Sequence, residues 1–113
     1  MRWLLLFAFT LAACTKGLDA DLPAVGSARS LGAEWALVNE QAAQGHLTPA
    51  YVQSMRKRLR QQLQTEASSL TRPDTGYGQE IHALVTEPDG AAPDQLRGHA
   101  EKLKQIEDSL ESA

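Results

Sequence analysis

The chain has 113 residues, with 11 Lys/Arg against 14 Asp/Glu, and a formal net charge of −3 with neutral histidines. That length admits one small domain, and the mildly acidic balance argues against nucleic acid as a partner. A lone cysteine, Cys14, excludes an intramolecular disulfide, and 5% aromatic residues leave leucine, alanine and other aliphatics to build most of the core.

Met1-Arg2 supplies one positive charge, and the run Trp3–Ala13 (WLLLFAFTLAA) that follows has none. This run is about half the length a bilayer-crossing helix needs. A charged start, a short apolar core and small residues at the exit are the parts of a secretory signal. The exit, Leu11-Ala12-Ala13-Cys14, resembles the lipobox of bacterial lipoprotein precursors. The resemblance implies a diacylglycerol thioether on the Cys14 sulfur. It also implies cleavage after Ala13 by a peptidase that recognises Leu11, Ala12 and Ala13, and acylation of the new amino group. Such chains hold a protein stably on membrane lipid, whereas one chain binds only reversibly. In these precursors Asp after the cysteine tends to retain the product at the inner membrane. Thr15 therefore implies a periplasm-facing outer-membrane position, with the inner membrane as the alternative. Removing residues 1–13 leaves 100 residues with ten Lys/Arg and fourteen Asp/Glu. A lipidated Cys14 takes no part in redox or catalytic chemistry.

Residues 14–26 read as the lipidated cysteine and a tether: TKGLDADLPAVG has no period, two acids, a proline and two glycines. Its alternative is a stretch packed along the domain through Leu22 and Val25. Residues 27–113 are expected to form an all-α domain, a small bundle of three main helices plus a short one. Ser27 is placed to cap a first helix over 28–44, with Leu31, Trp35, Val38 and Ala42 on one face and Gly45 at its end. Thr48-Pro49 starts a second over 49–69, whose stripe is Val52, Met55, Leu59, Leu63 and Glu66, with Tyr51 and Gln62 beside it. Pro73, Asp74 and Gly76 break the chain. A short helix over 78–87 presents Ile81, Leu84 and Val85, although Val85-Thr86 also permits a strand. After Pro88-Asp89-Gly90, a last helix from Pro93 or Asp94 to Leu110 carries Leu96, Leu103 and Leu110 seven apart, with Ile106 beside them and His99 and Ala100 between. This short heptad-like seam suits packing against the helix at 49–69.

No catalytic constellation is visible, so an enzyme is not expected. His46, His82 and His99 form no close pair, and HExxH and CxxC are absent, so no metal and no cofactor is expected. Glu66 is the acid of interest because it falls on an otherwise apolar face. Arg56, Lys57, Arg58 and Arg60 fan around one helix and, with Tyr51, are the interaction candidates. They suit anionic lipid, an acidic partner or an anionic envelope polymer. Equally, they suit Glu101, Glu107, Asp108 and Glu111 of the last helix. The expected function is a lipid-anchored interaction or structural module of the cell envelope. It would bind an envelope protein or self-associate through apolar surface at Tyr51, Leu63 and Leu70. The alternative is a lipid- or small-ligand-binding lipoprotein with a cavity between its helices.

Overall fold

A computed structural model describes residues 20–112. The segment 1–13, expected as a signal peptide, Cys14 and residues 15–19 of the expected tether lie outside the described residues. The remainder is all α: α1 (Leu22–Ala43), α2 (Pro49–Ser68), α3 (Gly76–Val85) and α4 (Pro93–Glu111). There is no strand among the described residues, so Val85-Thr86 belongs to the end of α3.

The first helix starts at Leu22, well before the predicted 28. Pro23 is no obstacle, because the first turn has no partner for its missing N–H. Val25 and Ala28 extend the buried face backwards and are fully buried. Residues 22–26, expected in the tether, are therefore helix, and Ser27 is exposed within it instead of capping it. At the other end Gly45 takes φ +75°. That left-handed residue lets His46 N donate to Gln41 O at 3.0 Å and Gly45 N to Ala42 O at 3.1 Å, the two bonds of a Schellman ending.

The second helix starts as the sequence predicts. Thr48 Oγ1 accepts from Tyr51 N at 3.2 Å, with Pro49 at the first helical position. In α3 the cap is Thr75, which accepts from Gly78 N at 3.4 Å and moves the start two residues ahead of the predicted Gly78.

α1 is the central helix and packs on all three others. Trp35, Leu59, Leu63, Ile81, Leu84, Leu96 and Leu103 are completely buried. Each such leucine or isoleucine contributes about 1.5–3 kcal/mol through burial. The α4 seam was expected on α2; it lies instead on α1, with α3 alongside, and α2 and α4 do not pack on each other. Small residues at the crossing account for this. A Cβ on the buried Gly32 of α1 would lie 3.7 Å from Ala100 Cβ of α4 and 3.0 Å from Leu84 Cδ2 of α3. The two backbones approach closely where neither carries bulk.

Gly78 is a second close approach: a Cβ there would sit 2.2 Å from the Pro73 carbonyl oxygen. Gly78→Ala should lower the unfolding free energy by about 1–3 kcal/mol in urea titrations, because neighbouring backbone would have to move. Gly76→Ala, which meets nothing within 4 Å, should leave the midpoint unchanged or raise it.

Candidate functional site

Three clusters of polar side chains and an open trough beside α1 are chemically distinctive among the described residues. The first cluster stands at the start of α1. Asp21 is 2% exposed and does not cap its own helix. Its Oδ1 accepts from Thr71 N at 2.8 Å and Thr71 Oγ1 at 2.9 Å, and its Oδ2 from Arg72 N at 3.1 Å and Tyr77 Oη at 2.6 Å. Burial pushes the carboxyl up, but these four donors together outweigh it and hold it below its ordinary value. Tyr77 is pushed up by burial and then by its bond to Asp21, so the phenol stays a donor. Asp21 thus ties the α2–α3 loop and the start of α3 to the first residue before α1.

The second cluster holds the α3–α4 turn. Arg60 of α2 donates through Nη1 to Val85 O and through Nη2 to Glu87 O at 2.7 Å and Asp89 Oδ1 at 2.8 Å. Its guanidinium carbon lies 5.0 Å from the centroid of the Trp35 ring, a cation–π distance. Trp35 Nε1 donates to Asp89 O at 3.1 Å. Asn39 Nδ2 donates to Asp89 O at 3.0 Å and Ala91 O at 2.8 Å, while its Oδ1 accepts from Arg56 Nε at 2.8 Å.

The third joins α3 to α4. His99 Nδ1 bonds Glu80 Oε2, and Nε2 lies 2.6 Å from Glu87 Oε2, with all three side chains 13–15% exposed. Ionised carboxylates only accept, so both ring nitrogens donate and the imidazolium is the form that satisfies both. Burial pushes His99 down, but the two carboxylates outweigh it and raise it above 6.5. The His99 bond, against the opposing effect of burial, holds Glu87 low. Gln95 Nε2 adds a bond to Glu87 Oε2 at 3.1 Å, and Lys102 Nζ stands 3.9 Å from Glu80 Oε1. These groups bond one another and do not converge on a shared point. Among the described residues no group of three His, Cys, Asp or Glu is arranged to hold a metal.

The trough, about 700 Å³, runs along the outer face of α1 between α2 and α4. Its α1 side, the floor between the two flanking helices, runs from Leu22 to Leu31 and includes Pro23, Gly26, Ser27 and Ser30 together with Arg29. Glu66 stands on the α2 wall and Glu107 and Glu111 on the α4 wall. Arg29 Nε pairs with Glu107 Oε1 at 2.7 Å. Gly26 makes room for that wall, since a Cβ there would lie 2.7 Å from Glu107 Oε2.

The interaction candidates divide. Arg56 and Arg60 are committed to Asn39 and the α3–α4 turn, whereas Lys57, Arg58 and Tyr51 are exposed. The run does not face Glu101, Glu107, Asp108 or Glu111, because α2 does not pack on α4. Leu63, expected to contribute surface for self-association, is completely buried, and Leu70 is half-buried. Cys14, Leu11, Ala12 and Ala13 lie outside the described residues. Sequence reasoning missed Asp21, Asn39, Tyr77 and the Arg29–Glu107 pair. Asp21 offered one signal, an acid just ahead of a leucine-proline pair. The pairing of Arg29 with Glu107 spans 78 residues and has no local signature. No protein family, characterised protein or solved structure matches the chain.

Arg60→Ala should cost about 2–4 kcal/mol in equilibrium unfolding, since it leaves two turn carbonyls and the Trp35 face uncovered. Lys57→Ala and Arg58→Ala should each stay within about 0.5 kcal/mol. For His99, whose folded pKa is raised, the stabilising contribution is complete below about pH 6.5 and fades as pH rises through the higher folded value. Urea midpoints of the wild type should therefore fall on the alkaline side relative to His99→Gln, in which this slope disappears.

Proposed function

We propose that the protein is a lipid-anchored interaction module of the cell envelope. The observation that carries this reading is the sequence Leu11-Ala12-Ala13-Cys14 at the exit of an uncharged eleven-residue run. The helical domain supports it by its position. Only seven residue steps separate Cys14 from Asp21, the first anchored residue of the domain. Fully extended, they span at most about 25 Å, so the domain stays close to the bilayer surface. No helix among the described residues is long and apolar enough to cross a membrane, which leaves attachment to the N-terminal segment in this reading.

The polar clusters hold helices and turns together. Asp21, Tyr77 and His99 are each engaged by neighbouring side chains or backbone. Carriage of a lipid or small apolar ligand is the second reading. It calls for an enclosed apolar cavity, whereas the trough beside α1 is open and carries carboxylates on both walls.

Cys14→Ser should move the product from the membrane fraction to the soluble fraction and abolish labelling by a radioactive fatty acid. Continued membrane attachment with unchanged processing would overturn the lipoprotein reading. Crosslinking of the tagged, lipidated protein in its native envelope should then capture a specific protein. Capture of none, together with co-purifying lipid, would favour the ligand-binding reading.

A further inference from the structure

We propose that the trough between α2 and α4 is the docking surface for a basic amphipathic helix of a partner protein, an inference that rests on the interaction-module reading and names its partner class. The floor argues for a helix. Pro23, Gly26, Ser27 and Ser30 present little bulk on the outer face of α1, so an approaching backbone can come close. α2 and α4 flank this face without packing on each other, which leaves a channel open between them. From Leu22 to Leu31 the channel follows nine residue steps of α1, roughly 14 Å, which matches about two and a half helical turns of a partner. Leu22 and Leu31 offer apolar contact at its edges.

Charge argues for a basic occupant. Three carboxylates, Glu66, Glu107 and Glu111, line the walls against one cation, Arg29. That arginine is already paired with Glu107 at 2.7 Å. Glu66 on one wall and Glu111 on the other have no ion-pair partner among the described residues, so a helix with lysines or arginines on both flanks would meet a carboxylate on each side. The same charges disfavour other occupants. An acyl chain would desolvate carboxylates with no compensating bond. A second copy laying its own α1 face into the trough would bring Glu34 and no cation except the already paired Arg29.

The test uses the full lipidated protein in non-ionic detergent and a fluorescein-labelled synthetic helix of about twelve residues, with leucines on one face and lysines on its flanks. A control peptide carries glutamates in place of the lysines. The lysine peptide should bind saturably and at least tenfold more tightly than the control. Combining Glu66→Gln with Glu111→Gln should weaken binding about tenfold, the effect of two exposed ion pairs. Ser30→Trp, which fills the exposed floor, should abolish binding while circular dichroism and the melting temperature stay as in the wild type. Absence of saturable binding, full retention in Ser30→Trp, or an equal loss in the distant Glu101→Gln would each overturn the docking site. A partner captured in the envelope through crosslinks outside the trough would overturn the docking site and leave the interaction-module reading standing. Loss of both capture and membrane retention would overturn that reading itself.

Discussion

The guanidinium of Arg60 is the contact on which the arrangement of the second half of the chain depends. It reaches from α2 to the carbonyls at the end of α3, stacks over Trp35 of α1 and pairs with Asp89 in the following turn. The chain reverses there, and a reversal exposes carbonyls that the helix no longer satisfies. Three long side chains, Arg60, Trp35 and Asn39, supply donors from the α1–α2 hairpin. The hairpin therefore does more than cover an apolar face. It fixes where α4 begins, and so which face of α4 meets α1. Arginine suits this place because its fork serves several acceptors at once while its plane lies on an indole, a combination lysine lacks.

Charge is distributed unevenly along the long axis of α1. The end nearest its N-terminus gathers Glu66, Glu107, Asp108 and Glu111; Arg29 and Lys104 are each engaged by one of these acids, and the exposed Arg72 is the further cation there. The exposed Lys57 and Arg58 lie in the half of α2 that follows the α1–α2 turn, towards the opposite end. Near an anionic membrane surface, an acidic end would be repelled over about one Debye length, near 8 Å at physiological salt. A domain tethered at that end would stay within the reach of its short N-terminal segment while its acidic end is held off by about that distance, with its lateral trough open to neighbours.

The number and character of the helices were legible in the sequence because their signals are local. Thr48-Pro49 marks a start through one hydroxyl and one missing N–H, and Gly45 marks an end through its φ. The 3, 4, 4 spacing of Val52, Met55, Leu59 and Leu63 fixes the inward face. What stayed hidden depends on partners far along the chain. Nothing around Leu96 and Leu103 says which helix they meet; the answer lies in the absent side chain of Gly32, sixty-four residues before Leu96. Pro23 reads as punctuation until Val25 is seen to be buried. The charge run from Arg56 to Arg60 looks uniform in sequence, yet two of its members are structural and two are free. The trough was invisible because it is a gap between α2 and α4, and periodicity reports which face is covered without saying how far apart the covering helices stand.

The Asp21 carboxylate also has a mechanical consequence. Tension between the N-terminal segment and the domain enters the fold at this residue, before it reaches the first turn of α1. There it meets four hydrogen bonds to Thr71, Arg72 and Tyr77, some fifty residues away in sequence, acting side by side. A helix pulled from its first turn can fray one bond at a time, whereas bonds loaded together must yield together. An anchored domain that is tugged by its partner would thus keep α1 wound and its outer face intact, with the load passed to the α2–α3 loop.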